Sequence, residues 1–343
     1  MSAVPDIHTI SRADDLEALV PAWWDLWNRS PAATPFQSPA WLIPWWRAFA
    51  PGRLMVAAVW SKDNLVALAP LYLETGPLGR RLLPLGISIS DYLDILIEPS
   101  FPESVAGIVE QLSRWSEWES CELSCLPLGA AALSLPSLSG CADFHETADA
   151  CPVLYLPREG GLDAGAHPAI PALQRRKLRM ARNRLARGPA WSIVSTGEWS
   201  AGKWLEELIR LHTTRWEERH EGGVLGDICI KTFHRSTLPE LIDRKLAQLF
   251  ALTVGDEVAG VYYGFSDRGR AYAYIGGFDP RFSFYSPGTV LLGHAIENAL
   301  QDGVGELHFL RGGETYKYAW GAVDRYSVRR TFTRSKVRAH VPG

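Results

Sequence analysis

The residues best suited to chemistry lie between Tyr274 and Gly321. Gly276-Gly277 interrupt a run that is otherwise aromatic and β-branched. Such a pair marks a twist point, a bulge, or a place where another backbone or a ligand comes close. Tyr285-Ser286-Pro287-Gly288-Thr289 follows. Ser286 suits an N-cap, Pro287 the first helical turn, and Gly288 leaves the backbone uncovered. The amides of Gly288, Thr289 and Val290, with the Ser286 and Thr289 hydroxyls, would then form an anion site at a helix start. The plainer reading is a well-capped helix. Further on, Arg311 and Glu314 stand where the apolar strand ending Phe309-Leu310 opens into a loop. Tyr316 or Lys317 would suit protonation of a leaving thiolate, and Lys317 also a phosphate contact. A salt-bridged turn is the alternative.

A second concentration of charge covers Gln174 to Arg187, with seven basic residues between 175 and 187. Leu178, Ala181 and Leu185 share one helical face and would anchor it. The remaining cationic surface would suit coenzyme phosphates, a nucleotide- or lipid-linked sugar, an anionic membrane surface or RNA. It could equally be a solvated helix facing acids from elsewhere. Nothing in the segment reads nucleic-acid sequence.

Elements must position these groups. The chain has 343 residues, 47% hydrophobic and 21% charged, with formal net charge −3. This describes a packed globular protein of about two domains and no general nucleic-acid binder. The amino terminus lacks a basic region leading into an apolar core, and no apolar run reaches the roughly 18 residues of a membrane span. A cytoplasmic location is expected, with peripheral attachment to the inner membrane face through the basic helix as an option. Five widely spaced cysteines fit reduced thiols, and no metal site is expected. Among fourteen tryptophans, Trp23, Trp24, Trp27, Trp41, Trp45, Trp46 and Trp60 come early. They read as core, or as an apolar or sugar-facing cleft.

Periodicity predicts helices over 13–28, 40–49 and 102–117, and a hairpin of strands 54–60 and 65–73 turning at Ser61-Lys62-Asp63-Asn64. Strands follow at 80–85, 93–97 and 119–125, and 140–156 is extended. Residues 157–168 are rich in Pro, Gly and Ala and read as a linker. Beyond it come helices at 170–187, 199–219 and 231–247, strands at 249–254, 258–266 and 271–278, a helix at 287–302, a strand at 305–310, a short helix at 314–320 and a final strand at 325–334. The expected division is 1–156, linker 157–168, and 169–343. The element order makes the chain α+β.

Phe278-Asp279-Pro280, Tyr285-Ser286-Pro287-Gly288, Phe309-Leu310-Arg311-Gly312, Glu314, Tyr316-Lys317 and Trp320-Gly321 together resemble the GNAT-like acyltransferases of the cellulose-biosynthesis CelD type, relatives of the Fem peptidyltransferases. Phe36-Gln37-Ser38-Pro39-Ala40-Trp41 with Trp45-Trp46, and Ser90-Asp91-Tyr92-Leu93-Asp94, resemble that family's leading segment. The resemblance spans nearly the whole chain. It implies two tandem GNAT-like domains, each a mixed, mostly antiparallel sheet flanked by helices.

It further implies an acyl-CoA co-substrate, acetyl-CoA or longer, in a gap between the strands 270–278 and 306–310. Gly276-Gly277 would be the splay point and Tyr285 to Val290 the pyrophosphate loop. The family's usual loop pattern survives here only at Gly288, with Tyr285 and Val290 at its altered ends. A carboxylate would take the attacking group's proton, with Asp279 and Glu314 as first candidates and Tyr316 or Lys317 as acid. Asp91, Tyr92, Asp94 and Arg311 would meet the acceptor, a sugar or cell-envelope precursor bearing an amine or hydroxyl. Two other readings stand beside this one. One is a Fem-like transferase using aminoacyl-tRNA, and the other a non-catalytic scaffold in polysaccharide production.

Overall fold

A computed structural model describes residues 6–217 and 224–335. The chain is α+β and divides into two compact units. The first runs to Asp149 and takes back the strand Tyr326–Arg334; the second is Ala150–Arg325. These limits differ from the expected ones at both ends. Val153–Tyr155 pairs antiparallel with Glu306–His308, so the end of the expected first half belongs to the second sheet. The final strand pairs antiparallel with Ser120–Leu126 and completes the first unit, not the second. Residues 157–168 are no free linker: Ala164 and His167 are fully buried, and Ala164 lies in the second unit's core. His167 Nε2 sits 3.1 Å from the Pro157 carbonyl, so composition misled where burial is dense.

The first unit contains two sheets where one was expected. The smaller orders Asp6–Ile10, Val56–Ser61, Asn64–Ala69 and Leu96–Ile97. The larger orders Arg53–Leu54, Leu71–Gly76, Gly79–Pro84, Ser120–Leu126, Tyr326–Arg334 and Cys141–Ala150. Pro70 causes the division. It has no N–H for a ladder, so the expected strand 65–73 ends at Ala69 and restarts at Leu71 in the other sheet. The hairpin turn is also tighter than expected, with Ser61 paired to Asn64 and Lys62 in the left-handed region at φ 55°. Pro21 likewise splits the expected helix 13–28 into Ala13–Ala18 and Val20–Arg29, because proline starts a helix more readily than it continues one.

Six of the seven early tryptophans are core, and Trp60 is half-buried. Trp23, Trp24, Trp27, Trp41, Trp45 and Trp46 are buried. Three bury their indoles without orphaning the N–H: Trp23 donates to the Gln37 carbonyl at 3.0 Å, Trp27 to Thr34 at 2.9 Å, and Trp41 to the Ser90 hydroxyl at 2.9 Å.

The second unit is a six-stranded sheet ordered Val153–Tyr155, Glu306–His308, Arg270–Phe278, Glu257–Asp267, Ala247–Val254 and Trp191–Ser195. Neighbours are antiparallel except Arg270–Phe278 with Glu306–His308, which are parallel. Helices Ala172–Ala186 and Pro287–Gln301 cover one face through Leu178, Ala181, Leu185, Val290, Leu291 and Ala295. They meet where Gly293 leaves room for Leu178: a β-carbon there would lie 2.7 Å from the leucine methyl. Helices Ala201–Glu217 and Ile228–Asp243 pack against each other on the other face. No helix among the described residues is long and apolar enough to cross a membrane.

Candidate active site

The parallel pair stops early. Arg270, Ala271 and Tyr272 face Glu306, Leu307 and His308, and the pairing ends there. On its other edge the strand Arg270–Phe278 stays paired with Glu257–Asp267 through Phe278. Residues Ala273–Phe278 therefore border a split in the sheet, and a cavity of about 870 Å³ opens there. The split begins after Tyr272, earlier than the expected Gly276-Gly277.

The glycine pair has a different cause. A β-carbon on Gly277 would sit 2.8 Å from the His212 amide nitrogen and 2.9 Å from the Leu211 carbonyl carbon. The helix Ala201–Glu217 thus lies directly on the strand, and only glycine permits that approach. On the opposite face, a β-carbon on Gly260 would meet Pro287 at 3.0 Å and Leu291 at 3.1 Å. Both Gly276 and Gly277 still line the cavity. The Asp279 amide donates to the Ala259 carbonyl at 3.0 Å, and Gly277 is opposite Val261. Ladder alternation then gives Gly277 to the neighbouring strand and turns the Gly276 N–H toward the split.

The cavity passes through the sheet. Gln174, Lys177, Tyr262, Ser286, Pro287, Gly288, Thr289 and Leu291 line it on the face covered by the two core helices. His212 lines it from the helix on the other face. Tyr274 and Phe278 from the strand, and Thr315, Tyr316, Ala319 and Trp320 beyond the split, close the walls. Burial first, and the neighbouring Tyr316 second, hold the Tyr262 phenol above its ordinary pKa.

The helix start is less open than its sequence suggests. Ser286 is left-handed at φ 54°, and its carbonyl accepts from the Thr289 amide at 3.0 Å and the Val290 amide at 3.2 Å. Two of the three expected anion donors are thereby occupied. Gly288 retains its N–H at the cavity, with the Ser286 hydroxyl, which makes no cap bond, beside it. Val290 points into the core, and Tyr285 packs toward Gly188, where a β-carbon would touch its hydroxyl at 2.9 Å. Neither lines the cavity.

Three of the four expected proton-transfer groups are engaged elsewhere. Asp279 is 4% exposed and accepts from the Arg281 amide at 2.9 Å and its guanidinium at 2.8 Å, with Arg210 at 3.9 Å. The Arg281 side chain foremost holds this carboxyl below its usual range. Asp279 is therefore a turn cap in an ion cluster. Lys317 is buried, and its Nζ donates to the carbonyls of Arg311 at 2.6 Å, Gly312 at 3.0 Å and Leu310 at 3.3 Å. It also pairs with Glu314 at 2.8 Å. These contacts pin a loop whose Leu310 is left-handed at φ 61°. Lys317 and Glu314 form a structural clamp, and Arg311 contributes its carbonyl to it. Of the four candidates for proton transfer, Tyr316 alone lines the cavity.

In the first unit, Asp94 caps a turn. Its carboxylate accepts from the amides of Ala131 at 2.7 Å, Ala132 at 2.8 Å and Ile95 at 2.8 Å. Burial raises its pKa to about 7 against the pull of those amides. Tyr92 is buried and its carbonyl accepts from Gln37 at 2.9 Å. Both serve structure there, and Asp91 beside them is half-buried.

The basic helix is partly neutralised by its surroundings. Arg182 forms a two-pronged pair with Glu297, while Arg175 and Arg184 donate to the carbonyls of Ala166 and Phe284. Lys177 stays exposed at the cavity rim. Sequence reasoning missed Gln174 and His212. Gln174 occupies the same buried stripe as Leu178 and Ala181, and His212 follows Leu205, Leu208 and Leu211 on a buried helical face. A polar side chain on such a stripe was the available signal.

A sheet split between a parallel pair, with a helix start at its edge, defines the class of fold. Residues 172–318 match the family model described as an acetyltransferase (GNAT) domain. Among solved structures, FemX aligns with a TM-score of 0.65 over 95% of this chain and 96% of that one, at 10% identity. L-PGS from Bacillus licheniformis aligns at 0.56 over 95% and 93%, at 13% identity. The C-terminal domain (DUF2156) of a putative lysylphosphatidylglycerol synthetase from Agrobacterium fabrum aligns at 0.54 over 94% and 92%, at 13% identity. These likenesses are of fold. No curated protein matches the chain. The architecture is an α+β, GNAT-like fold, and the acetyltransferase (GNAT) match over residues 172–318 supports a transferase.

Proposed function

We propose that the protein moves an acyl group from a CoA thioester to an amine or hydroxyl on a sugar or cell-envelope precursor, as in the CelD-type resemblance. The observation that carries this reading is the split beside Ala273–Phe278 with its 870 Å³ cavity. An extended pantetheine arm has the width of a strand and would continue the ladder that ends at Tyr272. The Gly276 N–H would meet the thioester carbonyl and stabilise the oxyanion. The Gly288 amide at the helix start, the Ser286 and Thr289 hydroxyls and the Lys177 ammonium supply donors for phosphate. Titration calorimetry with acetyl-, hexanoyl- and palmitoyl-CoA tests the donor. Binding by at least one is expected, and binding by none would sink the assignment. A bound donor that is never turned over would favour the scaffold reading.

One observation favours a second donor. Arg176, Lys177 and Arg187 are exposed along the helix that flanks the cavity, and such a strip suits an RNA backbone. Filter binding of charged tRNA at several salt concentrations separates the two. A steep salt dependence with no affinity for acyl-CoA would transfer the proposal to an aminoacyl-tRNA donor. The same strip is the part of the surface suited to an anionic membrane.

A further inference from the structure

The catalytic proton acceptor was expected to be a carboxylate, and the described lining of the cavity contains neither Asp nor Glu. The carboxylates nearest in sequence, Asp279 and Glu314, are held by Arg281 and Lys317. One side chain in the lining is an imidazole, and it lies across the sheet from the phosphate donors. That is His212.

We infer that His212 takes the proton from the attacking amine or hydroxyl, an assignment that rests on the acyl-transfer reading above. Three features support it. The helix backbone at Leu211 and His212 lies in contact distance of Gly277, and His212 lines the same cavity as Gly276 and Gly277. Lys177 and Gly288 approach from the other face, so donor phosphates and attacking group are separated by the sheet. The elements packed on the His212 helix carry Tyr263, Tyr274 and His234, and His234 contacts both tyrosines at ring distances of 5.8 and 5.9 Å. Burial lowers His234 to about 3 and raises Tyr263 well above its ordinary value, so neither accepts or donates protons near neutrality.

The step balances without another reagent. The nucleophile's nitrogen or oxygen forms a bond to the thioester carbon while its proton passes to the imidazole. The carbon–sulfur bond then breaks, and the imidazolium returns that proton to the leaving thiolate. The products are an amide or ester and free CoA thiol, with His212 restored.

The test uses the full chain, acetyl-CoA as donor and hydroxylamine as a nucleophile small enough to enter any acceptor site. His212→Gln should retain acetyl-CoA affinity within about two-fold, which also reports folding, while kcat/KM falls about 100-fold or more. With rates expressed per unprotonated hydroxylamine, the wild type should show an acid limb that disappears in the variant. A variant within three-fold of wild type that keeps the acid limb would overturn the assignment. A second measurement covers the case of negligible turnover with hydroxylamine. Saturating acetyl-CoA should slow diethylpyrocarbonate modification of His212, read by peptide mass spectrometry at least five-fold below the free protein. Unchanged modification of the saturated protein removes His212 from the site and leaves the donor reading standing. Failure of wild type to bind acetyl-CoA removes both.

Discussion

The backbone of His212 and the α-carbon of Gly277 are close enough that a single added methyl group would not fit: it would lie 2.8 Å from the His212 nitrogen. Helix and strand are locked at the point where the sheet has already split. Gly277→Ala must push the helix off the strand, which overpacking data place at about 1–3 kcal/mol. Urea unfolding should show that loss. Acyl-CoA turnover should fall further than affinity, because His212 moves with the helix. An alanine variant of unchanged stability would mean the helix yields freely.

Gly288 is the contrasting glycine. A β-carbon there meets nothing nearer than the Phe278 ring at 3.9 Å, yet the residue lines the cavity. Gly288→Ala in the first helical turn should leave stability unchanged or raise it by about 0.4–1 kcal/mol. The same methyl group would shield the remaining amide, so acetyl-CoA affinity should drop several-fold in calorimetry. Equal affinity in the variant would take Gly288 out of the donor site.

Lys317 tests clamp against catalyst. Its ammonium donates to three carbonyls and faces Glu314. Lys317→Met leaves those buried acceptors without their charged donor and should cost at least about 2 kcal/mol in chemical denaturation. A general acid would behave differently, losing kcat with stability intact. That second outcome would restore Lys317 to the chemistry.

Much of this arrangement was readable in the residues, and its failures share a cause. Ser286-Pro287 fixed the helix start, and the Leu178, Ala181 and Leu185 spacing gave the face of the basic helix correctly, because both signals are local. A cleft beside Arg270–Phe278 was expected from its glycine pair, but Gly277 answers to the helix packed on it. The beginning of the split at Tyr272 was not legible, since a split depends on where the partner strand ends. The roles of Gly277, Lys317 and His212 depend likewise on surfaces brought together only by folding. Tyr326–Arg334 reads as a strand, but pairing with Ser120–Leu126 leaves no mark in its own pattern. Asp279 is the exception. Asp-Pro-Arg already spelled a capped turn with a cation two residues on.

The short parallel pairing that frames the split begins at Glu306, and its carboxylate ties the strand to Arg325. It accepts from His308 Nε2 at 3.2 Å and, in two-pronged fashion, from Arg325 at 2.8 and 3.1 Å. The His308 hydrogen bond, then Arg325, lower its pKa to about 2, opposed by partial burial. Burial foremost holds the His308 imidazole below its ordinary pKa. The folded value lies below the roughly 4.3 of an unfolded glutamate. Its stabilisation is therefore full above that value and is lost as pH falls toward about 2. After allowance for solvent screening, the contribution at neutral pH is about 1 kcal/mol. Glu306→Gln should lower stability at pH 7 by that order and flatten the acid limb of the unfolding free energy between about pH 5 and 2. Denaturation series at pH 7, 5, 4 and 3 measure both. A variant that tracks wild type through the acid range would show that Glu306 does not bind protons differently in the folded and unfolded chain.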